Sequence, residues 1–235
     1  MPANHAYFFA NLPLFAAVCA ILILGRRRPI VRLALHSGLA FLPCSLLAFT
    51  DGEYWRPARL GGGPIGVEDL LFTFIAGAVV WLCAAWGHRG NLTVPAHFPA
   101  GRVTRRLVLW QLPAGALLAA LWRAGLDPMS AALLASIPLL TFLLARRPRL
   151  WILSGAALGC FVPFYWAFVR IQFAAFPTYP SQWNPQGPWT PAFLGLPAGE
   201  LAWAAVLAVL WPVLIASVFD VDVRAASAAP PSAVR

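Results

Sequence analysis

Residues 61–86 have the sequence GGGPIGVEDLLFTFIAGAVVWLCAAW, and residues 194–218 have the sequence LGLPAGELAWAAVLAVLWPVLIASV. In each stretch, a segment containing Gly and Pro leads to an acidic residue. An apolar run of about 20 residues follows, which is the length that crosses a bilayer as a helix. Because a carboxylate is costly within a membrane-spanning segment, acids at these positions indicate a functional site. The two stretches therefore predict a membrane fold and also where its site lies.

The composition of the whole chain supports a membrane protein. Of its 235 residues, 60% are hydrophobic and 11% are charged, and the mean hydropathy is +0.73. A soluble domain is less apolar than this. The predicted fold class is all-α, a polytopic membrane protein of about seven transmembrane helices, with the lipid bilayer as a partner. The predicted spans are residues 5–25, 30–50, 68–87, 106–124, 128–145, 151–173 and 198–218.

The arginines are unevenly distributed between the two sides of this predicted topology. Thirteen lie on one side: Arg26, Arg27, Arg28, Arg32, Arg89, Arg102, Arg105, Arg106, Arg146, Arg147, Arg149, Arg224 and Arg235. Four lie on the other: Arg56, Arg59, Arg123 and Arg170. The positive-inside rule then predicts a multi-pass protein of the cell inner membrane, with its amino terminus outside and its carboxyl terminus in the cytoplasm. The net charge of +9 comes from arginines that are distributed according to the membrane topology and form no single basic domain. Nucleic acid is therefore not an expected partner.

Several absences exclude classes of membrane protein or cofactor. The chain contains no lysine, which excludes a retinal protein that binds its chromophore through a Schiff base. No Gly-x-Gly-x-x-Gly pattern indicates a flavin or nicotinamide site. The four cysteines lie singly in different spans, so no metal site is expected. A prenyltransferase is disfavoured because no pair of aspartate-rich magnesium motifs is present.

An internal repeat relates the two halves of the chain. Arg27-Arg28-Pro29 recurs as Arg146-Arg147-Pro148, and Phe41-Leu42-Pro43 recurs as Phe161-Val162-Pro163. The two acid-led stretches complete the match. If spans one to three and five to seven are the repeats, the fourth span is a linker and the halves are parallel, related by an axis along the membrane normal. Both acidic motifs then reach the same membrane face.

The repeat predicts a division of the chain into four parts. Residues 1–104 form the first three-helix unit, 105–124 the linker transmembrane helix and 125–218 the second three-helix unit. Residues 219–235, which are rich in Ala, Ser and Pro, are predicted to be a disordered cytoplasmic tail.

Three acids are candidate catalytic residues. Glu68 and Asp69 lie in the first turn of the third span, and a close pair of carboxylic acids can share one proton and act as a general acid. Glu200 begins the seventh span with no arginine near it in sequence. Arg56 and Arg59 could pair with Glu53 or with the acids of the third span, or they could be solvated charges at the membrane interface. The alternative is that Glu68 and Asp69 cap the helix and remain hydrated at the membrane interface.

Aromatic residues follow the acids into the membrane. Phe72 and Trp203 lie about one turn beyond Asp69 and Glu200 on the same helix face, and Trp211 continues that face. An electron-rich ring at this place could stabilise a carbocation, so these three are candidate substrate-binding residues. The alternative is packing, or an interfacial aromatic belt. Three further tryptophans are expected to anchor the outer loops at the headgroups: Trp55, Trp183 and Trp189.

Two motifs resemble those of the membrane-embedded lycopene cyclase domain family. The first is Trp55 followed by residues 63–72, GPIGVEDLLF, and the second is residues 195–203, GLPAGELAW, followed by Trp211-Pro212. The family consists of two three-helix units, either separate or fused, and is distinct from the soluble flavin-binding cyclases. Its pattern is a loop tryptophan, a glycine, Pro-x-Glu-Glu and a Leu-Leu-Phe-like helix start. In the first motif of this chain, Gly66 stands where the pattern has its proline. In the second motif, Gly199 stands where the pattern has its first acid, so three of the four acids are present.

The resemblance implies an enzyme of carotenoid biosynthesis, a lycopene cyclase-like isomerase or intramolecular lyase that works without a cofactor. Its substrate would be a linear carotenoid, whose end group it cyclises by acid catalysis without net redox change. In this assignment Glu68 and Asp69 donate the proton, Glu200 removes a proton or orients the acid, and Phe72 and Trp203 stabilise the cation. Other carotenoid-biosynthesis enzymes are candidate partners.

Two other classes remain open. One is a non-catalytic membrane protein that binds a carotenoid or lipid. The other is a small proton-coupled transporter, with protonatable acids at the interface between its repeats.

Overall fold

In the computed structural model, residues 6–50, 54–63 and 65–224 are described, with the backbone alone for residues 47–50. These residues form a bundle of seven α-helices, which confirms the all-α class. The helices are α1 (Ala6–Leu24), α2 (Pro29–Phe41), α3 (Val67–Trp86), α4 (Ala100–Arg123), α5 (Pro128–Arg146), α6 (Trp151–Ala175) and α7 (Ala198–Val218). A 3₁₀ helix, Leu42–Thr50, continues α2.

Six helices of the described residues are long and apolar enough to cross a membrane. They are α1, α2 with the start of its 3₁₀ extension, α3, α5, α6 and α7. The protein is therefore a multi-pass membrane protein by the length and composition of its helices. The predicted fourth span differs, since α4 begins at Ala100 and contains Arg102, Arg105 and Arg106 in its first two turns. These arginines, together with Gln111, lower its hydropathy below that of the other six.

Local sequence explains where several helices begin. Pro29 is the first residue of α2, and Pro128 is the first residue of α5. A proline is tolerated there because the first turn of a helix has no use for its missing N–H. Asp127 caps α5 by accepting a hydrogen bond from the Ser130 N–H at 3.0 Å. Between α4 and α5, Gly125 adopts φ +94°, which glycine tolerates best.

Helices α3 and α7 form the centre of the bundle. Helix α3 packs against α1, α2, α6 and α7, while α7 also packs against α5 and α6. The approach of α2 to α3 is very close, since a Cβ added to Gly77 would lie 2.7 Å from the Phe41 Cβ and 2.8 Å from the Ser37 carbonyl oxygen. Ser37 in turn donates a hydrogen bond to the Gly77 carbonyl at 2.6 Å. The acid-bearing ends of α3 and α7 therefore lie inside the protein.

Among the described residues, four two-residue strands connect loops at the two ends of the bundle. They pair antiparallel, β1 with β4 and β2 with β3. Their bounds are β1 (Leu92–Thr93), β2 (Ala192–Phe193), β3 (Leu196–Pro197) and β4 (Asp222–Val223).

The prediction of a disordered tail from residue 219 was wrong for residues 219–224. Strand β4 pairs with β1 there, Asp220 forms an ion pair with Arg106 at 2.7 Å, and Asp222 pairs with Arg147. Two acids that face arginines, one in α4 and one directly after α5, order this segment, which composition alone did not indicate. The remainder of the predicted tail, residues 225–235, lies outside the described residues.

Candidate functional site

A cavity of about 180 Å³ lies at the amino-terminal ends of α3 and α7. Four of the six candidate residues from the sequence line it: Asp69, Phe72, Glu200 and Trp203. The first pair comes from α3 and the second from α7. Side chains from α1, α2 and its 3₁₀ extension, α5, α6 and the loops before α3 and α7 complete the wall. The structure therefore brings the two acid-led motifs to one space.

Asp69 is held by charge and by hydrogen bonds. The Arg59 Nε lies 2.5 Å from Asp69 Oδ2, and the Arg59 Nη2 lies 3.2 Å from Oδ1. The Gly66 N–H donates to Oδ2 at 2.7 Å, and the Tyr7 hydroxyl donates to Oδ1 at 3.3 Å. Only 7% of the Arg59 side chain and 5% of the Asp69 side chain are exposed. Asp69 thus caps α3, as one interpretation expected, but it is buried and paired with Arg59 instead of hydrated.

Glu200 is surrounded by neutral donors. Its Oε1 accepts hydrogen bonds from the Tyr54 hydroxyl at 3.0 Å and from the Trp183 Nε1 at 2.9 Å. The Tyr165 hydroxyl contacts its Oε2 in a short hydrogen bond. Within the described part of the chain, Glu200 forms no ion pair with an arginine. The two cavity acids therefore have different surroundings, a cation for Asp69 and hydroxyl and indole groups for Glu200.

The loop tyrosines of the cavity remain protonated. Burial raises the pKa of Tyr54 far above its ordinary value, and the proximity of Glu200 raises it further. Burial likewise raises the pKa of Tyr179, followed by the influence of Glu200 and Asp69. Both hydroxyls therefore keep their protons at physiological pH and are available as hydrogen-bond donors.

Glu68 does not lie on the cavity wall, although it is fully buried. Consecutive residues of a helix point about 100° apart, so Glu68 and Asp69 face different neighbours. Glu68 Oε1 accepts the Leu60 N–H at 2.5 Å, and its carboxylate packs against Gly66. Its Oε2 has no hydrogen-bond partner among the described residues. The two neighbouring acids thus have different surroundings, and of this pair only Asp69 faces the cavity.

The three candidate aromatic residues occupy two layers. Phe72 and Trp203 stack across α3 and α7, with ring centroids 5.5 Å apart and planes inclined by 28°. Trp211 lies behind the wall: it packs edge-on against Phe41 with centroids 4.5 Å apart, and Phe41 lines the cavity. The Trp211 indole donates to the Ser37 hydroxyl at 2.9 Å. Trp211 therefore supports the wall without forming part of it.

None of the tyrosines was predicted from the sequence to belong to the site. The chain has four, and all of them line this cavity: Tyr7, Tyr54, Tyr165 and Tyr179. They come from α1, the loops before α3 and α7, and α6, so no sequence motif joins them. Trp183 was expected to anchor a loop at the headgroups, but it is 5% exposed and donates to Glu200. The signal that could have identified the tyrosines as site residues is their small number in a chain that is otherwise apolar.

The arrangement can move a proton inside an apolar, aromatic space. One acid faces a guanidinium and the other faces neutral donors, so the two are suited to different halves of an acid–base reaction. No metal-binding cluster of His, Cys, Asp and Glu occurs in the described part of the chain. No protein family model, curated protein or solved structure matches this sequence.

Proposed function

We propose that the protein cyclises the linear end group of lycopene or a related carotenoid by acid–base catalysis without net redox change. One observation carries the proposal: two acids with contrasting surroundings, Asp69 and Glu200, line the same aromatic cavity. Ring closure of a polyene needs one group to protonate a double bond and another to remove a proton afterwards. It also needs an apolar space in which the intermediate cation is not captured by water.

The contacts favour Glu200 as the proton donor and Asp69 as the base. The Arg59 guanidinium stabilises an anionic Asp69, which can accept a proton. Among the described residues, Glu200 meets neutral hydroxyl and indole donors and no arginine, and for this reason we assign it the role of proton donor. This division is the reverse of the one implied by the family resemblance, and it leaves Glu68 outside the proton transfers.

The proposed reaction balances in three steps. The Glu200 proton adds to the terminal double bond, whose electron pair forms the new C–H bond and leaves a tertiary cation. The next double bond supplies the electron pair of the ring-closing C–C bond, which moves the cation. Asp69 then takes a proton from the adjacent carbon, and the released electron pair forms the ring double bond. The product has the atoms of the substrate, and one proton must return from Asp69 to Glu200.

Phe72 and Trp203 are the proposed stabilisers of the cation. Both rings line the cavity, and they stack with their centroids 5.5 Å apart between the two acids' helices. The Tyr165 ring lies against Trp203 with centroids 5.3 Å apart. The negative face of an aromatic ring attracts a nearby cation, and more strongly where water is excluded. The number of rings on this wall therefore favours stabilisation of a cation over a role in packing alone.

The size of the cavity fits an end group. Its volume of about 180 Å³ is comparable to an apolar cavity of roughly 150 Å³ that accommodates benzene. A six-membered ring can form in such a space, whereas a whole carotenoid is far larger. The proposal therefore has one end of the substrate inside the cavity and the polyene chain extending out of it.

The proposal includes a repeat architecture with seven spans. Helices α1–α3 and α5–α7 would be parallel units, and α4 would return the chain between them. Three observations support this arrangement. Asp69 and Glu200 begin α3 and α7 at one cavity, and α3 packs on α1 and α2 as α7 packs on α5 and α6. Helix α4, with 24 residues, is about 36 Å long, enough to cross a bilayer. The arginine distribution supports an outer site in an inner membrane.

Expression in a bacterium that accumulates lycopene tests the function. We expect a cyclised pigment with the mass of its substrate, and in D₂O one deuterium per ring closed, because the donated proton comes from an exchangeable acid. Glu200→Gln is the control, since the amide keeps the shape but carries no transferable proton.

Unchanged pigment in cells whose membranes contain the protein would contradict the proposal. A coloured polyene that co-purifies without turnover would support a binding protein instead. Proton-coupled uptake into vesicles containing the protein would support a transporter.

A further inference from the structure

The second residue of α7 has no room for a side chain because a tyrosine occupies the space. A Cβ added to Gly199 would lie 2.6 Å from the Tyr54 Oη and 2.7 Å from its Cζ. Real Cβ atoms do not approach other atoms so closely. Because Gly199 has no side chain, the Tyr54 ring can approach α7 this closely, and an added Cβ would displace the ring.

The same tyrosine holds the acid next to that glycine. The Tyr54 hydroxyl donates to Glu200 Oε1 at 3.0 Å, and burial, the largest cause, raises the pKa of Tyr54 so that the donor persists. Backbone bonds fix the loop around it: the Asn184 N–H donates to the Tyr54 carbonyl at 2.9 Å, and the Arg56 N–H donates to the Gln182 carbonyl at 2.7 Å. Tyr54 is thus fastened to the loop that precedes α7.

The two acid-led helices differ at this position. In α3 the residue before Asp69 is Glu68, whereas in α7 the residue before Glu200 is Gly199. The side chain that α7 lacks is replaced in space by Tyr54, which comes from the first half of the chain. Each half therefore contributes to the surroundings of Glu200.

We infer that Tyr54 is the positioning residue of the site, with its ring seated on Gly199 and its hydroxyl directing Glu200 into the cavity. This inference rests on the proposed function, in which Glu200 donates the proton. Tyr54 does not react itself. Without it, Glu200 would retain its other two donors but lose one of the contacts that fix its orientation.

Kinetics of two variants test the inference. Tyr54→Phe keeps the ring and removes the hydroxyl, and we expect kcat to fall about 2- to 10-fold, the order expected for a hydrogen bond to a neutral acid. KM should change little, because the bond is not made to the substrate. Gly199→Ala displaces the ring and should cause a similar loss. The control is Gly159→Ala in α6, where a Cβ meets nothing within 4 Å, and it should retain both kcat and thermal stability.

The double variant separates positioning from general damage. If both changes act through the Tyr54–Glu200 bond, Gly199→Ala should lower kcat much less in the Tyr54→Phe protein than in the wild type. Additive losses, or wild-type kcat in Tyr54→Phe, would overturn the inference. If Glu200→Gln abolishes turnover while Tyr54→Phe is fully active, the proposed function stands and the positioning role fails. If the wild-type protein does not cyclise its substrate, both fail.

Discussion

Loss of the Arg59 side chain should destabilise the protein strongly. Arg59→Met keeps an apolar side chain of similar length but leaves Asp69 as a buried carboxylate without its cation. The remaining partners of Asp69 are the Gly66 N–H and the Tyr7 hydroxyl. Since both members of the pair are at least nine-tenths buried, solvent cannot replace the lost interaction.

The magnitude follows from the burial of this pair. Removing one partner of a buried ion pair costs about 3–5 kcal/mol. For a chain of roughly this size, each kcal/mol lowers Tm by about 2–4 °C, so the expected decrease is on the order of 10 °C. The assay is thermal unfolding of the purified protein in detergent, with wild type and variants compared under identical conditions.

Two further proteins make this test specific. Arg102→Met removes one partner of an exposed ion pair, in which the Arg102 Nη1 lies 3.9 Å from the Asp220 Oδ2. The free energy of unfolding should change by less than about 1 kcal/mol. Asp69→Asn removes the charge that Arg59 neutralises, so Arg59→Met should cost much less in that background. Equal Tm values for Arg59→Met and Arg102→Met would refute the electrostatic account of the site.

The remaining predictions concern turnover and topology. Glu200→Gln and Asp69→Asn should each lower kcat by about 10²-fold or more, whereas Glu68→Gln should lower it far less, as measured by pigment analysis at matched protein levels; equal losses in all three would refute the assignment from the cavity. Trp203→Leu should reduce kcat more than it raises KM, because the ring acts on a cation formed during the reaction; a change in KM alone would indicate packing. A reporter that is active only in the cytoplasm should work when fused after Arg224 and fail in the loop between α6 and α7; the reverse result would invert the topology.

Much of the helix layout was predictable because it depends on local sequence. Apolar runs bounded by proline or an acid define their own ends, so the spans predicted at residues 128–145 and 198–218 correspond to Pro128–Arg146 and Ala198–Val218. Local sequence is less informative for α4, because its arginines lower the hydropathy of the segment although the helix continues to Arg123. Hydropathy measures the preference of a segment for lipid, and that preference is weak for this helix.

The candidate site was only partly accessible to the same reasoning. The i, i+3 spacing places Phe72 above Asp69 and Trp203 above Glu200 on their own helices, and the structure places all four on one cavity. Spacing along one helix could not show that Glu68 turns away from that cavity.

The groups that surround each acid are brought together by the packing of distant segments. Arg59 reaches Asp69 across a loop, whereas Tyr54, Tyr165 and Trp183 meet at Glu200 from separate parts of the chain. That carboxylates begin two membrane-length helices follows from the order of residues alone. Whether each carboxylate meets a cation or a hydroxyl depends on how distant segments pack, and that contrast distinguishes the two acids chemically because burial strengthens every electrostatic interaction around them.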